Sequence, residues 1–258
     1  MSTMKTVILA GGLGTRLEEE TGRLPKPMVE IGGRPIHWHI MKHFAHHDFR
    51  EFYIALGYKG DVVKNYFLNY HSLSGDFTID LADGRMTPCG SSTEDWRVHL
   101  VDTGESTNTG GRILRLREKL GREPFLLTYG DGVSDVDIRS VVEFHRRHGK
   151  IATLTAVRPP ARFGAIHLDK AEHVLSFDEK PTTGDGWVNG GYMVLEPKFF
   201  DYLVDDKTGL EVLADVARDG ELVAYRHYGY WQCMDTIRDK KLLEAEWSSG
   251  VPRWRVWK

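Results

Sequence analysis

The sequence lacks several features that would identify common classes of protein. Its 258 residues include only two cysteines, Cys89 and Cys233, which are too far apart for a thiolate metal site or a disulfide framework. No apolar run approaches the roughly 20 residues that cross a bilayer, and the opening residues lack a signal-peptide pattern. The formal net charge of -3 lacks the basic excess typical of nucleic-acid binders. We therefore expect a cytoplasmic protein that binds neither nucleic acid nor membrane.

The apolar pattern predicts alternating strands and helices in the first half of the chain. Strands are predicted at residues 5–10, 51–56 and 124–129. Helices are predicted at residues 35–46, 61–70 (capped by Asp61), 112–120 and 137–148. In the second half, strands at 151–157, 164–168, 174–178 and 188–195 follow one another with few helices between them, before a last helix at 235–247. This order favours a single α/β domain over residues 1–258, with parallel units in one half and a more mixed sheet in the other.

A glycine-rich loop follows the first predicted strand, in the stretch Leu-Ala-Gly-Gly-Leu-Gly-Thr-Arg-Leu at residues 9–17. Successive backbone N–H groups in such a loop can cradle phosphate oxygens, and the guanidinium of Arg16 adds a planar fork. The dinucleotide pattern G-x-G-x-x-G fails, because Leu17 stands where its third glycine is needed. The Walker triplet Gly-Lys-Ser/Thr is absent from the chain. A phosphate-binding loop of another kind is predicted, with a plain structural turn as the alternative.

Three charged residues complete a candidate site. Lys26 stands between two prolines that stiffen its backbone, so its ammonium can act as a point charge on a polyphosphate, although Pro-Lys-Pro alone is typical of a surface turn. Asp131 follows an apolar strand, at the edge of a parallel sheet where ligands collect. Asp235 stands at the start of the last predicted helix, where it could equally be an N-cap. As a pair, the two carboxylates would suit Mg²⁺.

A second cluster of polar residues suits a sugar phosphate. Lys180 offers a cation, while Glu179 and Asn189 offer hydrogen bonds to sugar hydroxyls. The alternative is a charged hairpin turn. The glycines of Thr109-Gly110-Gly111-Arg112 precede a predicted helix and offer its N-terminal N–H groups to an anion.

Two aromatic features favour packing over ligand binding. His39 and His43 lie one helical turn apart, a spacing that can bind zinc, but no acidic or thiol partner accompanies them. A packed or solvated helix face is the favoured interpretation. Trp247, Trp254 and Trp257 are predicted to pack in the core or between subunits rather than to form a ligand cage.

These motifs together resemble those of the sugar-phosphate nucleotidyltransferases. The opening signature of that family is similar to Gly11-Gly12-Leu13-Gly14-Thr15-Arg16-Leu17 followed by Pro25-Lys26-Pro27. Later segments resemble the branch that transfers a cytidylyl group from CTP to glucose 1-phosphate: Trp38-His39-Ile40-Met41, Gly57-Tyr58-Lys59-Gly60, Thr109-Gly110-Gly111-Arg112, Thr128-Tyr129-Gly130-Asp131-Gly132-Val133 and Trp231-Gln232.

The resemblance implies a fold, ligands and residue roles. The fold would be Rossmann-like α/β, with a central mixed, mostly parallel sheet flanked by helices and a smaller mixed-sheet part that binds sugar. Residues 1–135 would mainly bind the nucleotide and residues 136–258 mainly the sugar phosphate. The nucleoside triphosphate would be bound by Leu9, Gly11, Gly12, Gly14, Thr15, Arg16, Lys26, Gly111, Arg112 and Asp131. The sugar 1-phosphate would be bound by Tyr129, Glu179, Lys180, Asn189 and Gly190. Asp131 and Asp235 would bind Mg²⁺. The catalytic residues would be Arg16, Lys26 and Asp131. The chain would form a homo-oligomer, which in the cytidylyl branch is a hexamer.

The implied reaction is in-line attack of a sugar-phosphate oxygen on the α-phosphorus, with release of pyrophosphate. A phosphate monoester has a second pKa of about 6, so the attacking oxygen is ionised at neutral pH and needs no general base. Catalysis would then consist of positioning and charge neutralisation. The rival hypotheses are uridylyl or thymidylyl transfer, a non-catalytic nucleotide-sugar sensor, and a nicotinamide oxidoreductase, which the failed dinucleotide pattern opposes.

Overall fold

A central sheet of seven strands organises the chain. The computed structural model describes residues 4–12, 24–89, 94–159, 165–168, 174–178 and 186–258. In spatial order the strands are β14 (Leu222–Arg226), β10 (Ala152–Val157), β13 (Val188–Leu195), β8 (Phe125–Tyr129), β1 (Lys5–Ala10), β4 (Glu51–Leu56) and β7 (Arg97–Asp102). β13 runs antiparallel to both its neighbours, whereas the other adjacent pairs are parallel. Six strands therefore end at the same edge of the sheet.

Short antiparallel pairs surround the central sheet. They are β2 (Glu30–Ile31) with β3 (Arg34–Pro35), β5 (Asp76–Asp80) with β6 (Arg85–Cys89), β9 (Gly132–Ser134) with β15 (Trp231–Cys233), and β11 (Ala165–Leu168) with β12 (Val174–Asp178). The predicted mixed, mostly parallel sheet with smaller sheets beside it is confirmed.

Helices cover both faces of the central sheet. They are α1 (Ile36–His46), α2 (Gly60–Leu68), α3 (Tyr70–Leu73), α4 (Thr109–Leu114), α5 (Arg117–Leu120), α6 (Ile138–His148), α7 (Leu213–Arg218) and α8 (Ile237–Ser248). Short 3-10 helices span Lys26–Met28, Pro197–Tyr202 and Leu210–Val212. In the described part of the chain, no helix is both long enough and apolar enough to cross a membrane.

The core is divided between the two faces because successive strand residues point to opposite sides. Ile8 and Ile54 pack with the apolar residues of α1, α6 and α8 on one face. Val7 and Leu9 pack with α4, α5 and α7 on the other. Strands buried on both faces explain the nearly continuous apolar runs in the sequence.

Two predicted helices differ from those observed. The helix predicted at 61–70 begins at Gly60, and its N-cap is Lys59 in a left-handed conformation (φ 51°), so the predicted Asp61 cap is wrong. The helix predicted at 112–120 is two helices, and the first already includes Gly110 and Gly111. The N–H of Gly111 donates to the carbonyl of Thr208 at 3.1 Å, so it is satisfied within the protein rather than offered to an anion.

His39 and His43 of α1 are buried, so the packed alternative for this helix face holds. His39 Nε2 is 2.9 Å from the carbonyl oxygen of Ile31, and its ring lies edge-on to Trp247 with centroids 4.7 Å apart. Trp254 and Trp257 are also buried beside it. Burial lowers the pKa of His39 to about 4, so the ring is neutral at physiological pH. The packed helix face is confirmed, and so is the core position of Trp254 and Trp257, against which the partly buried Trp247 packs.

Candidate active site

A cleft of about 590 Å³ opens where β1 and β8 end. It lies at the edge where the parallel strands terminate, the usual place for ligands in an open α/β sheet. Its described lining residues are Leu9, Ala10, Gly11, Gly12, Lys26, Pro27, Glu105, Ser106, Thr107, Asn108, Thr109, Arg112, Tyr129, Gly130, Asp131 and Asp235. The cleft thus brings together residues from both halves of the chain.

One ammonium joins the two aspartates at this cleft. Lys26 Nζ lies 2.6 Å from Asp131 Oδ2 and 2.5 Å from Asp235 Oδ1. The two carboxylate oxygens are therefore no more than 5.1 Å apart, the sum of those distances. Burial acts to lower the pKa of Lys26, but the two carboxylates outweigh it and raise that pKa above its ordinary value. Lys26 is accordingly a cation at neutral pH.

A short antiparallel ladder explains why the two aspartates meet. Gly132 in β9 pairs with Cys233 in β15, so Asp131 and Asp235 lie at the same end of the ladder. The N–H of Met234 donates to the carbonyl of Asp131 at 2.8 Å. The Cys233 thiol lies 3.6 Å from Asp235 Oδ2, and burial, followed by the nearby carboxylates, raises the pKa of that thiol to about 12.

The turn that carries Asp235 is fixed by a capping box. Thr236 is the N-cap of α8, and its hydroxyl accepts from the N–H of Asp239. In return, Asp239 Oδ2 accepts from the N–H groups of Thr236 and Asp235, at 2.9 and 3.1 Å. The N-cap interpretation of Asp235 is therefore wrong, since the next residue caps the helix and leaves Asp235 facing the cleft.

The guanidinium of Arg112 is buried and hydrogen-bonded within the protein, unlike that of an exposed arginine poised to bind phosphate. Its Nη1 donates to the carbonyls of Leu56 and Gly104 and to the hydroxyl of Thr103, at 2.7–3.0 Å. Its Nη2 donates to the carbonyls of Gly11 and Glu105, at 3.0 and 3.1 Å. The guanidinium therefore ties together the chain segments that follow β1, β4 and β7. Arg112 lines the cleft, but most of its N–H groups donate hydrogen bonds to the protein itself.

The residues expected near the sugar are divided between the cleft and the interior. Tyr129 lines the cleft, and burial together with the charge of Asp131 raises its pKa to about 12. Asn189 is next to it, with Nδ2 3.5 Å from the Tyr129 hydroxyl. Gly190 is packed inside: its carbonyl accepts from Trp231 Nε1 at 2.8 Å, and an added Cβ would lie 2.7 Å from Val157 Cγ1.

Some predicted site residues are not brought to the cleft, and others were missed. Gly111 faces the backbone of Asp206, whose Cα would lie 2.6 Å from an added Cβ. Gly14, Thr15, Arg16, Glu179 and Lys180 lie outside the described residues. The segment from Glu105 to Asn108 lines the cleft but was not predicted. Recognising the preceding strand β7 would have pointed to this segment. The sequence of β7, Arg-Val-His-Leu-Val-Asp, is too polar to be read as a buried strand.

The aspartate pair fits a hard divalent cation. The ammonium of Lys26 already stands between the two carboxylates, so a cation is accommodated there. Carboxylate oxygens are the ligands that Mg²⁺ prefers, with water and substrate phosphate completing its shell. Within the described ranges, no group of three or more His, Cys, Asp or Glu side chains is arranged to hold a metal ion.

Comparison with known proteins agrees with the fold and shows the family. The nucleotidyl transferase family model matches residues 5–238, and the chain belongs to this family of enzymes. It is 51% identical over 257 residues to the glucose-1-phosphate cytidylyltransferase of Salmonella typhimurium, covering 98% of this chain and 100% of that protein. A probable glucose-1-phosphate cytidylyltransferase of Bacillus subtilis is 41% identical with the same coverage. The crystal structure of HddC from Yersinia pseudotuberculosis, 23% identical, has the same fold with a TM-score of 0.69, over 95% of this chain and 99% of that one.

Proposed function

We propose that the protein transfers the cytidylyl group of CTP to α-D-glucose 1-phosphate, forming CDP-glucose and pyrophosphate. The observation that carries the proposal is the contact of one lysine with two aspartates in a cleft at the strand ends. The similarity to glucose-1-phosphate cytidylyltransferases over nearly the whole chain supports the choice of base and sugar.

In this proposal, the cleft divides between the two substrates. Gly11, Gly12 and Lys26 line the part that would bind the triphosphate, and the adjoining Gly14, Thr15 and Arg16 of the glycine-rich loop would extend it. Tyr129 and Asn189, with Glu179 and Lys180, would bind the sugar phosphate. Arg112 would hold the cleft walls in place rather than bind phosphate directly.

Asp131 and Asp235 would hold the divalent ion, which we propose is Mg²⁺. When bound, the ion supplies positive charge next to the phosphates of the substrate. Lys26 would add a second positive charge and orient the triphosphate. The glucose 1-phosphate oxygen attacks already ionised, so no side chain of the cleft has to remove a proton. The residues therefore act by bringing two anions together and by neutralising their repulsion.

Pyrophosphate release, measured for each nucleoside triphosphate against a panel of sugar 1-phosphates with Mg²⁺ present, tests this function. CTP with glucose 1-phosphate should be the best pair. If another pair reacts faster, the base or sugar is wrong and uridylyl or thymidylyl transfer becomes the alternative. If no pair releases pyrophosphate although nucleotide sugar binds, the protein is a sensor rather than an enzyme.

We further propose that residues 1–258 act as one domain, that the chain forms a homo-oligomer, specifically a hexamer, and that it works in the cytoplasm. The central sheet supports the first point, since strands from both halves lie next to each other in it, as β8 does with β13. Light scattering on the purified protein would measure the oligomeric state, and a monomer would contradict the proposed assembly.

A further inference from the structure

The contact of Lys26 with both aspartates uses the same carboxylates that would hold a divalent ion. Asp131 and Asp235 each place one oxygen at 2.6 Å or less from the ammonium. An ammonium and a divalent cation cannot both occupy the space between two oxygens at most 5.1 Å apart. A divalent ion bound between these two oxygens would therefore displace the ammonium.

We propose that Lys26 is an exchangeable cation: its ammonium holds the aspartate pair until a divalent ion replaces it, and the released ammonium then binds the triphosphate. This inference rests on the proposed function, because it assigns both ligands to the cleft. It adds that binding of the divalent ion and binding of the nucleotide are coupled instead of independent.

The charge balance of the cleft supports the exchange. The side chains of Asp131 and Asp235 are 28% and 26% exposed, and that of Lys26 is 14% exposed, so water screens the two carboxylates only in part. Two like charges at this distance repel unless a cation separates them. The other cationic side chain in the described cleft lining, Arg112, directs its Nη groups at backbone carbonyls and a hydroxyl. Lys26 therefore bridges the two carboxylates and offsets their repulsion.

The backbone of Lys26 is held while its side chain is adaptable. Lys26 begins a short 3-10 helix between Pro25 and Pro27, and Pro27 is buried against Gly130, where an added Cβ would lie 3.1 Å from Pro27 Cγ. The prolines fix φ on both sides. The flexible four-carbon stem of a lysine is then the part that can move when the carboxylates take a divalent ion. Because the same side chain competes with the ion and binds the triphosphate, the two ligands should favour each other's binding.

Direct binding of Mn²⁺ to the full-length protein without nucleotide, measured by electron paramagnetic resonance of the free ion, tests the exchange. Lys26→Gln removes the competing charge but keeps a polar side chain of similar length. We expect it to bind Mn²⁺ about tenfold more tightly than wild type, equivalent to roughly 1.4 kcal/mol, because two partly exposed ion pairs no longer have to be broken. Equal or weaker Mn²⁺ binding by the folded variant would overturn the inference.

Matched variants make the result specific. Lys42→Gln breaks a single ion pair, Lys42 Nζ to Glu94 Oε2 at 2.9 Å, whose residues do not line the cleft, and should leave Mn²⁺ affinity unchanged. The double variant Lys26→Gln/Asp131→Asn should lose the gain. If it keeps the gain, the tighter binding arises elsewhere and the inference fails. Lys26→Met replaces Lys26→Gln if circular dichroism shows that the latter is unfolded.

Failure of the exchange and failure of the proposed function give different results. If wild type releases pyrophosphate from CTP but Lys26→Gln shows no tighter Mn²⁺ binding, the exchange is wrong and the function stands. If Lys26→Gln binds Mn²⁺ more tightly but no substrate pair releases pyrophosphate, the exchange stands and the function is wrong.

Discussion

Gly11 and Gly12 are neighbours in the same loop, yet the structure predicts a large loss of stability when alanine replaces Gly11 and almost none when it replaces Gly12. An added Cβ at Gly11 would lie 2.2 Å from Cζ, 2.3 Å from Nη1 and 2.7 Å from Nε of Arg112. Among the described residues, no atom lies within 4 Å of a Cβ added at Gly12. Neither glycine has a positive φ, so alanine meets no backbone strain at either position.

The magnitude follows from how firmly Arg112 is held. Overpacking a closed site costs about 1–3 kcal/mol, and each buried hydrogen bond to a charged donor contributes about 1.5–3 kcal/mol. Relieving the Gly11→Ala clash requires the guanidinium to give up at least one of its five hydrogen bonds. We therefore expect Gly11→Ala to lower the free energy of unfolding by about 3 kcal/mol. Gly12→Ala should change it by less than about 0.5 kcal/mol.

Equilibrium unfolding in urea, followed by tryptophan fluorescence, measures both variants under identical conditions. Gly57→Ala provides a third point, because its added Cβ would lie 2.4 Å from Nη1 of the same guanidinium. Since both clashes displace one side chain, Gly11→Ala with Gly57→Ala should cost less than the sum of the single variants. A Gly11→Ala protein as stable as wild type would refute the argument that Arg112 is fixed.

Three further predictions concern the site and the core. Asp131→Asn should leave the protein folded and slow turnover by a factor on the order of 10² or more, which pyrophosphate release measures; wild-type rates would remove Asp131 from the proposed ion site. Thr236→Ala should lower the free energy of unfolding by about 1 kcal/mol through loss of the N-cap, and a variant as stable as wild type in urea would show that the cap contributes nothing. Burial lowers the pKa of His37 to about 4, whereas the unfolded chain takes up this proton near pH 6.5. The free energy of unfolding should therefore fall by about 3 kcal/mol on account of His37 as the pH drops from 6.5 to 4, and be unaffected by it at higher pH. His37→Phe should flatten the loss of stability in acid-induced unfolding, and an unchanged pH profile would contradict this assignment.

The central strands were predictable because burial on both faces leaves a strong local signal. β1 and β4 have the bounds expected from their apolar runs, and the sequence places a glycine, Gly11 or Gly57, directly after each of them. β7 was missed because a polar residue separates its apolar ones and because it is the outermost strand on its side of the described sheet. Residues 105–108, which follow it, were missed for the same reason.

The meeting of Asp131 and Asp235 could be proposed from chemistry but not read from a pattern. The ladder that joins them has three residues in each strand, which is too short for an alternation of apolar and polar residues to stand out. The hydrogen bonds of Arg112 could not be predicted for a related reason. A single arginine after two glycines is equally typical of phosphate binding and of a buried structural contact, and the carbonyls that its guanidinium contacts come from three separate strand ends.

The pairing of β9 with β15 also has a consequence for how the protein is made. A ribosome adds Asp131 near the middle of this chain and Asp235 long afterwards, after all seven strands of the central sheet have been synthesised. Until residues 231–235 emerge, a nascent chain can assemble the described strands of the central sheet but lacks the partner that completes the acidic pair. The proposed activity should therefore require residues 231–235, and a nascent chain that lacks them should be unable to consume nucleotide.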